Sequence, residues 1–284
     1  MKLSVKLFLH IFLFCSSFLM AAQDSTFSVI TFNLRYDNPA DAENNWHYRK
    51  QEIADFIQLR SPEIFGIQEG LIHQLAFLDS ALTRYQYVGK GRDDGAQKGE
   101  FSAIFFDTSK VTLIYDSTFW LSLTPSEPSV GWDAALPRIC TFARLVTKNS
   151  GDTLNVWNMH LDHMGITARY KSIALLVVMI NDFDKALWLQ PMIIMGDLNS
   201  TPLDDPAHTM LKFAEDTRTA TLTPPLGPDA TFNGFAPLNT ESKRIDYIFV
   251  RNLTTIAQEH IDTKRSNGLW LSDHLPVMAT LSFK

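Results

Sequence analysis

A carboxylate and a carboxamide stand two residues apart at the end of an apolar run in the second half of the chain. The run from Ile193 to Gly196 is typical of a buried strand that reaches the surface at Asp197, and Asn199 follows it. Because side chains alternate along an extended backbone, Asp197 and Asn199 face the same small volume. Together they could hold a water molecule and a phosphate oxygen. On its own, the motif also fits an Asx turn that caps a strand.

Other hydrophobic segments also end on polar side chains or have them at an edge. These side chains are Asn33, Glu69, His160, Asp246, Asp273 and His274. Strand ends that bring polar groups to one edge are typical of a site built on a rigid scaffold. We therefore expect these residues to lie beside Asp197 and Asn199.

The carboxylates in this set predict a bound cation. Two carboxylates about 4 Å apart repel each other by about 4 kcal/mol at an effective dielectric constant of about 20, so a cluster of them is stable mainly with a metal ion. Oxygen ligands without cysteine favour magnesium over calcium or manganese. Zinc is disfavoured, because neither His160 nor His274 has a second histidine at the spacing of a helical ligand pair.

The hydrophobic pattern predicts the elements that would position these groups. Strands are predicted at 27–34, 64–69, 101–106, 111–121, 138–147, 153–161, 193–198, 244–250, 255–261 and 277–283, and helices at 46–59, 71–82 and 166–188. The glycine-rich, charged segment 89–99 predicts a loop. Because strands and helices are mixed rather than strictly alternating, we predict an α/β (α+β) fold, a four-layer sandwich of two packed mixed β-sheets flanked by helices.

The first 22 residues have the layout of a secretory signal peptide. Two lysines precede about 14 apolar residues, and Ala21 and Ala22 come before the polar segment that follows. A bilayer span takes roughly 20 apolar residues, so a retained anchor is disfavoured. A lipoprotein anchor at Cys15 is also disfavoured, since the bulky Phe14 precedes it. We predict cleavage near Ala22, one domain at 23–284, a secreted or periplasmic location and no stable membrane insertion.

The mature chain is acidic. Without the two lysines of the signal peptide it has 23 basic and 31 acidic residues, a formal net charge of −8. Diffuse binding to nucleic acid or to anionic lipid is therefore disfavoured. Loss of Cys15 leaves Cys140 without an intrachain partner, so no disulfide is predicted and the core must supply the stability. We expect a monomer.

Six short motifs at the strand ends carry a family resemblance. They are Thr31-Phe-Asn33, Ile67-Gln-Glu69, Met159-His160-Leu161, Gly196-Asp-Leu-Asn199, Arg244-Ile-Asp246-Tyr247 and Ser272-Asp-His274-Leu-Pro276. Each motif alone is weak, but the six occur in the order found in the endonuclease/exonuclease/phosphatase superfamily, which the chain resembles from about Phe27 to its C-terminus. The superfamily includes deoxyribonuclease I-like nucleases, inositol polyphosphate 5-phosphatases, sphingomyelinases and deadenylases.

The resemblance implies a magnesium site. Glu69 would be the principal magnesium ligand, with Asn33 and Asp273 close by, and manganese could substitute for magnesium. Arg35 stands where apurinic endonucleases have an aspartate near the metal, which disfavours a second metal ion.

The resemblance also implies catalytic roles. Asp197 would orient and deprotonate the attacking water, and Asn199 would hold a phosphate oxygen. His274, held by Asp246, would stabilise charge on the phosphoryl group. His160 would contact the phosphate or assist the leaving oxygen. Carboxylates, histidines and a cation perform these roles in phosphate ester hydrolysis.

Four further residues are candidates for substrate binding or orientation. Glu100 resembles a nuclease glutamate that orients the histidine at the position of His160, with an exposed loop charge as the alternative. Arg138 resembles an arginine that touches phosphate, with a surface ion pair as the alternative. Arg92 is a weaker candidate for phosphate binding. Trp132 lies in a loop that could form a wall of the substrate site.

These features predict a secreted, magnesium-dependent phosphoesterase. A small phosphorylated molecule, such as a sugar phosphate, an inositol phosphate or a nucleotide, suits an acidic chain better than duplex nucleic acid does. A nuclease acting on nucleic acid is one alternative. A sphingomyelinase-like phospholipase is another, although only the 130–132 loop approaches the apolar hairpin that membrane contact would need. A non-catalytic binding module is disfavoured by the complete set of acids and histidines.

Overall fold

Two six-stranded β-sheets pack face to face and carry helices on their outer faces. The computed structural model describes residues 26–183 and 190–284. The predicted signal peptide, with Cys15 and the cleavage position, and the last part of the predicted helix 166–188 lie outside the described residues. The architecture confirms the predicted four-layer sandwich of mixed sheets.

The described elements follow the predicted order along the chain. The strands are β1 (Thr26–Asn33), β2 (Ile64–Gln68), β3 (Tyr85–Val88), β4 (Ile104–Asp107), β5 (Val111–Trp120), β6 (Ile139–Thr147), β7 (Thr153–His160), β8 (Met192–Asp197), β9 (Glu215–Asp216), β10 (Asp246–Arg251), β11 (Leu253–His260) and β12 (Val277–Phe283). The α-helices are α1 (Trp46–Arg60), α2 (Ile72–Ala81), α3 (Ile166–Phe183), α4 (Asp205–Leu211) and α5 (Thr217–Ala220), and a 3-10 helix covers Pro39–Asn44.

The strand order brings the predicted site residues to corresponding ends. The first sheet has the order β11-β12-β1-β2-β4-β3 and the second β5-β6-β7-β8-β10-β9. β1 and β2 run parallel, as do β7 and β8, so each pair ends at the same edge. The register pairs Asn33 with Gln68 in the first sheet. In the second sheet it pairs Asp197 with both His160 and Asp246.

Three buried clusters hold the four layers together. The cluster between the sheets contains inward-facing residues of both, among them Val29, Ile64, Val156, Ile193 and Ile248. A second cluster lies between the first sheet and the helices α1 and α2, and a third lies between the second sheet and the helices α3 and α4. Each fully buried aliphatic side chain contributes about 1.5–3 kcal/mol, so burial on both faces of both sheets is the main stabilising term.

The structure adds short elements that the sequence pattern did not predict. These are the 3-10 helix, β3, α4, β9 and α5, which are too short to show a clear period. The fourth strand begins at Ile104 rather than at position 101, because Phe101 makes only an isolated bridge with Gly70. Cys140 is buried in β6 as a free thiol. Within 26–183 and 190–284, no helix combines the length and the apolar character needed to cross a bilayer.

His260, the last residue of β11, is fully buried and neutral. Its Nδ1 donates to the carbonyl oxygen of Pro228 at 2.7 Å, and its Nε2 is buried without a hydrogen-bond partner among the described residues. Burial, together with the positive charge of Arg218, lowers the pKa of His260 to about 3. The folded protein therefore resists protonation of this ring, whereas an unfolded chain does not.

We predict that His260 makes the folded state less stable as the pH falls. An unfolded histidine binds a proton below about pH 6.5, so stability is lost from that pH downward until the folded-state pKa is reached. Between about pH 7.5 and pH 5 the loss is about 2 kcal/mol. In urea unfolding, His260→Phe should remove this part of the pH dependence. The same substitution at His208, which is exposed, should leave the pH dependence as in the parent protein, and an unaltered dependence in His260→Phe would contradict the assignment.

Candidate active site

Asp197 is the point at which the predicted residues meet. Its Oδ2 accepts a hydrogen bond from Asn33 Nδ2 at 3.1 Å, and its Oδ1 accepts one from the Asn199 backbone nitrogen at 2.8 Å. The Nε2 atoms of His160 and His274 lie 3.5 Å and 3.7 Å from Asp197 Oδ2. Groups from both sheets therefore converge on one carboxylate, as the strand ends predicted.

The environment of Asp197 suits it to exchange a proton near neutral pH. Burial and the adjacent Asp246 carboxylate raise the pKa of Asp197 to about 7, against the opposing effects of His274 and of the hydrogen bonds from Asn199 and Asn33. A group acts best as a general base when its pKa lies near the working pH. Asp197 has that property in this site.

His274 and Asp246 form a buried pair. His274 Nδ1 lies 2.9 Å from Asp246 Oδ2, and Thr231 Oγ1 donates to the same oxygen at 2.6 Å. Burial lowers the pKa of His274, but the carboxylates of Asp246 and Asp197 outweigh it and raise that pKa well above the usual value. His274 is therefore held as an imidazolium, with Nε2 directed toward Asp197.

His160 has the opposite charge state. Burial and the nearby cations Arg138 and Arg92 hold the pKa of His160 well below its usual value. Asn199 Nδ2 donates to the Leu161 carbonyl oxygen at 2.9 Å and lies 3.1 Å from His160 Nε2. Because the amide nitrogen can only donate, His160 Nε2 accepts, and its Nδ1 carries the hydrogen. The site thus contains one neutral and one charged histidine.

Three site residues that are not glycine occupy the left-handed region of backbone conformation. They are Arg35, Glu69 and Asn199, with φ values of 59°, 62° and 46°. Each stands just beyond a strand, where such a turn redirects the chain and returns the side chain toward the strand ends. A side chain in this region costs about 1–3 kcal/mol, so tertiary contacts of the site must hold these turns.

The position before Asp197 requires a glycine, Gly196. Its φ of 139° is strained for other residues, and a Cβ there would overlap the carbonyl oxygen of Met159 on the neighbouring strand β7. Glycine therefore allows β7 and β8 to approach closely at the level where His160 pairs with Asp197.

Glu69 and Asp273 have the chemistry of a site for a hard divalent cation. Both line the same cleft. Burial and the negative charge of Glu69 raise the pKa of Asp273, and a cation between such carboxylates would relieve that repulsion. Glu69 is oriented by hydrogen bonds from Asn33 Nδ2 and from the Tyr36 backbone nitrogen, both at 3.1 Å. The oxygen donors fit magnesium or manganese.

Asn33 lies beside Glu69, and the hydrogen bonds of its side chain are made inside the protein. Its oxygen accepts from the Arg35 backbone nitrogen at 3.0 Å, while its nitrogen donates to Glu69 and Asp197. The amide is fully buried and holds the two carboxylates together, rather than presenting an oxygen to the cleft. In this arrangement Asn33 supports the metal site from behind.

A second group of potential ligands lies beside this one. In the described part of the chain, ligand atoms of Asp197, Asp246 and His274 all lie within 4.8 Å of one another. The Asp246 oxygen nearest His274 already accepts from Thr231 and His274. These contacts are those of a hydrogen-bonded relay, so Glu69 and Asp273 are the better candidates for the metal ligands.

Arg138 lines the cleft. Its side chain is buried, and its Nε donates to Asp162 Oδ2 at 3.1 Å while its Nη2 lies 2.9 Å from His163 Nδ1. Asp162 also accepts from the backbone nitrogens of Met164 and Gly165. The guanidinium is therefore fixed in place before a substrate arrives.

The structure corrects the substrate-binding prediction for Arg92. Arg92 is buried outside the cleft, and both of its terminal nitrogens bind Glu100, at 2.6 Å and 2.8 Å. Glu100 does line the cleft, but its Oε2 lies 4.0 Å from His160 Nδ1, beyond hydrogen-bond distance. Burial raises the pKa of Glu100 to about 7, although Arg92 opposes that shift. Any orienting effect of Glu100 on His160 is therefore electrostatic.

Trp132 is also corrected, because it does not line the cleft. The following residue, Asp133, accepts hydrogen bonds from the backbone nitrogens of Thr167 and Ala168 at the start of α3. This anchor holds the loop against the helix. Leu136 and Arg138, further along the same segment, form the cleft wall instead.

The cleft has a volume of about 710 Å³ and a mixed charge. Its lining contains five carboxylates and four lysine or arginine side chains: Glu69, Glu100, Asp197, Asp204 and Asp273, with Arg35, Arg138, Arg169 and Lys243. A larger open groove of about 930 Å³ runs beside the 3-10 helix, but it contains none of the predicted site residues.

Sequence reasoning missed four residues at this site. Thr231 binds and orients Asp246, while Arg169, Asp204 and Lys243 line the cleft. None of them stands at the end of a predicted strand. Arg169 comes from the first turn of α3 and the other three from loops, so only the tertiary structure brings them to the site and no periodic signal in the sequence could identify them.

Comparison with known proteins agrees with the geometry. The family model described as the Endonuclease/Exonuclease/phosphatase family matches residues 30–274. A solved endonuclease/exonuclease/phosphatase structure from Bacteroides vulgatus is 34% identical, with a TM-score of 0.86 over 92% of this chain and 100% of that one. A mannosyl-6-phosphatase of Bacteroides thetaiotaomicron VPI-5482 is 34% identical, with a TM-score of 0.85 over 90% of this chain and 100% of that one.

A curated viral protein is also similar. An uncharacterized protein of Acanthamoeba polyphaga mimivirus is 28% identical over 251 residues, which cover 82% of this chain and 91% of the viral one. The family model spans most of the chain, and the solved relatives share its fold and about a third of its residues. The chain therefore belongs to the endonuclease/exonuclease/phosphatase family and is a metal-dependent hydrolase of phosphoric ester bonds.

Proposed function

We propose that this protein is a secreted, magnesium-dependent phosphoesterase that acts on a small phosphorylated molecule, with a sugar phosphate as the leading candidate. The observation that carries the proposal is the cleft above Asp197, which is of the size that holds one small ligand. Its five carboxylates and four cations favour a substrate with a single phosphate and many hydroxyl groups. Inositol phosphates and nucleotides share this chemistry in part.

Charge distribution supports a small substrate over a polymer. The whole chain has a net charge of −6 before loss of the signal peptide, and tight binding of duplex nucleic acid needs several phosphate contacts. The lining of the cleft contains more carboxylates than cations, and Nη1 of one of the cations, Arg35, lies 3.7 Å from Asp273 Oδ2. The 34% identical relative named as a mannosyl-6-phosphatase also supports a sugar phosphate.

Secretion rests on the N-terminal pattern alone. The lysines, the apolar run and the small residues at positions 21 and 22 are typical of a signal peptide. N-terminal sequencing of exported protein should find a start near position 23. A chain that kept its first residues would contradict the proposed cleavage.

Glu69 and Asp273 would hold the magnesium ion, with Asn33 fixing Glu69. When bound, the ion would neutralise charge on the phosphate oxygens. Asp197 would accept the proton of the attacking water, helped by a pKa of about 7. Its two oxygens are each fixed by a hydrogen bond, from Asn33 and from Asn199, so the base is preorganised.

The histidines and Asn199 would receive the phosphate. The charged His274 would donate from Nε2 to a phosphate oxygen, while Asp246 keeps its ring oriented and protonated. Both hydrogens of Asn199 Nδ2 are used in the present arrangement, by Leu161 and His160. A phosphate oxygen would take the place of His160 as the acceptor, which would free His160 to contact the phosphate or the leaving oxygen.

Substrate profiling tests the proposed function. The purified mature protein with magnesium should hydrolyse sugar phosphates, inositol phosphates or nucleotides faster than plasmid DNA or a phospholipid at equal phosphate concentration. We expect sugar phosphates to give the highest kcat/KM. Rapid nicking of plasmid DNA at physiological salt would favour the nuclease alternative and contradict the proposal.

Metal dependence should follow from the Glu69 and Asp273 carboxylates. Chelation should abolish hydrolysis, and magnesium or manganese should restore it. Glu69→Gln removes a negative charge from the metal site, so half-maximal activity should need at least about tenfold more magnesium. Glu241→Gln, at an exposed loop position, is the matched control and should keep the parent curve. Activity that survives prolonged chelation, or returns only with zinc, would refute the metal assignment.

His274 and Asp246 should act as one unit. His274→Ala removes the donor and should lower kcat by about 100-fold to 1000-fold. Asp246→Asn keeps the shape but removes the charge that holds His274 protonated, so kcat should fall in the same direction. The double variant should be hardly worse than His274→Ala alone, because coupled groups are non-additive. Losses that multiply in the double variant would show that the two residues work independently.

A further inference from the structure

The cleft is lined in part by polar side chains that the reaction does not use. Arg169, Asp204 and Lys243 line the same cleft as the catalytic residues. We propose that these three side chains form a subsite that binds hydroxyl groups of the substrate's sugar or polyol part. This inference rests on the proposed function, since it assigns the non-phosphate half of that substrate.

Asp204 is held in a fixed orientation with one oxygen available. Its Oδ2 accepts from the Thr201 backbone nitrogen at 2.7 Å and from Thr201 Oγ1 at 2.8 Å. Its Oδ1 has no hydrogen bond among the described residues. Burial raises the pKa of Asp204, but the hydrogen bonds from Thr201 and the charges of Arg169 and Lys243 together outweigh burial and keep this pKa below its usual value. An ionised carboxylate oxygen is thus presented as an acceptor for a hydroxyl hydrogen.

The backbone of Lys243 is anchored, while its side chain has no partner among the described residues. Its carbonyl oxygen accepts from the backbone nitrogens of Thr231 and Phe232, both at 2.9 Å. Thr231 is the residue that binds Asp246, so the position of Lys243 is tied to the catalytic pair. The side chain is exposed at the cleft. Its ammonium group is a free donor.

Arg169 completes the set of donors. Its backbone nitrogen donates to the Gly165 carbonyl oxygen at 3.1 Å, and its Nη1 donates to the Asp162 carbonyl oxygen at 3.0 Å. Asp162 also accepts from Arg138, so one residue positions two cations of the cleft, Arg138 and Arg169. The guanidinium has further N–H groups that this contact leaves available.

The combination favours hydroxyl groups over a second phosphate. A hydroxyl both donates and accepts, so it can bind the carboxylate of Asp204 and the cations beside it at once. A second phosphate has only acceptors at neutral pH, and Asp204 would repel it. The loop from Asn199 to Asp204 joins the subsite to the phosphate site. Thr201 lies two residues after Asn199, and its carbonyl oxygen accepts from the Asp204 backbone nitrogen at 3.1 Å. A phosphorylated sugar would therefore span both.

The test compares two phosphate esters in the full mature protein. One is a hexose 6-phosphate and the other is phenyl phosphate, which has no hydroxyl groups for the subsite. The measured quantity is the kcat/KM for the hexose 6-phosphate divided by the kcat/KM for phenyl phosphate. In Asp204→Asn and in Lys243→Met this ratio should fall at least about tenfold, because each removes a hydrogen-bonding partner of the sugar. Asn at position 204 keeps an oxygen for Thr201, so the turn should persist, and thermal melting checks the fold of each variant.

Matched controls and alternative outcomes separate the two levels of the proposal. Asp205→Asn and Lys212→Met, at neighbouring exposed positions outside the cleft, should keep the parent ratio. A fall of both esters by the same factor would refute the subsite and leave the proposed function standing. A parent enzyme that hydrolyses phenyl phosphate but no hexose 6-phosphate would refute the sugar-phosphate function itself. A preference for a sugar bisphosphate that is lost in Lys243→Met would replace the hydroxyl subsite by a second phosphate site.

Discussion

The hydrogen bonds of Asn158 fix the two sheets relative to each other, and the site depends on that position. Its buried amide nitrogen donates to the carbonyl oxygens of Ile67 at 2.8 Å and Ala103 at 2.9 Å, and its oxygen accepts from Gln68 at 2.6 Å. Each buried polar group left unpaired costs about 1–3 kcal/mol. A shift of one sheet relative to the other would break these hydrogen bonds and is therefore unfavourable. Gly66 leaves room for the Asn158 side chain between the sheets, because a Cβ at position 66 would lie 2.7 Å from that side chain.

Much of the fold and the centre of the site could be predicted from the sequence. Strand ends have a strong local signal, since an apolar run that stops at Asp197 or His160 marks both the strand and its exposed end. Parallel pairing then turns separate positions along the chain into neighbours, which the register of Asp197 with His160 illustrates. The parallel pairing of β1 and β2 likewise brings Asn33 beside Glu69, whereas Asp273 reaches the cleft from the loop before β12, which pairs antiparallel with β1.

The rest depended on long-range contacts that no local pattern records. The guanidinium of Arg92 could bind a phosphate, but both of its terminal nitrogens donate to Glu100. Trp132 stands in a loop whose direction is set by the capping of α3 one residue later. Asn33 was correctly placed at the site, yet which of its amide atoms faces the carboxylates is decided by the Arg35 backbone nitrogen. Partner choice of this kind requires three-dimensional contacts.

At Arg35 and Glu69, whose backbones are left-handed, a change that would stabilise the fold would also remove a side chain from the cleft. Glycine at either position would relieve about 1–3 kcal/mol of backbone strain, but it would delete a side chain of the cleft. Ser61, the left-handed residue that ends α1, lies outside the cleft and carries no such conflict. Selection for heat resistance alone would therefore enrich glycine at all three positions. Of the three, only a glycine at position 61 would leave the lining of the cleft unchanged.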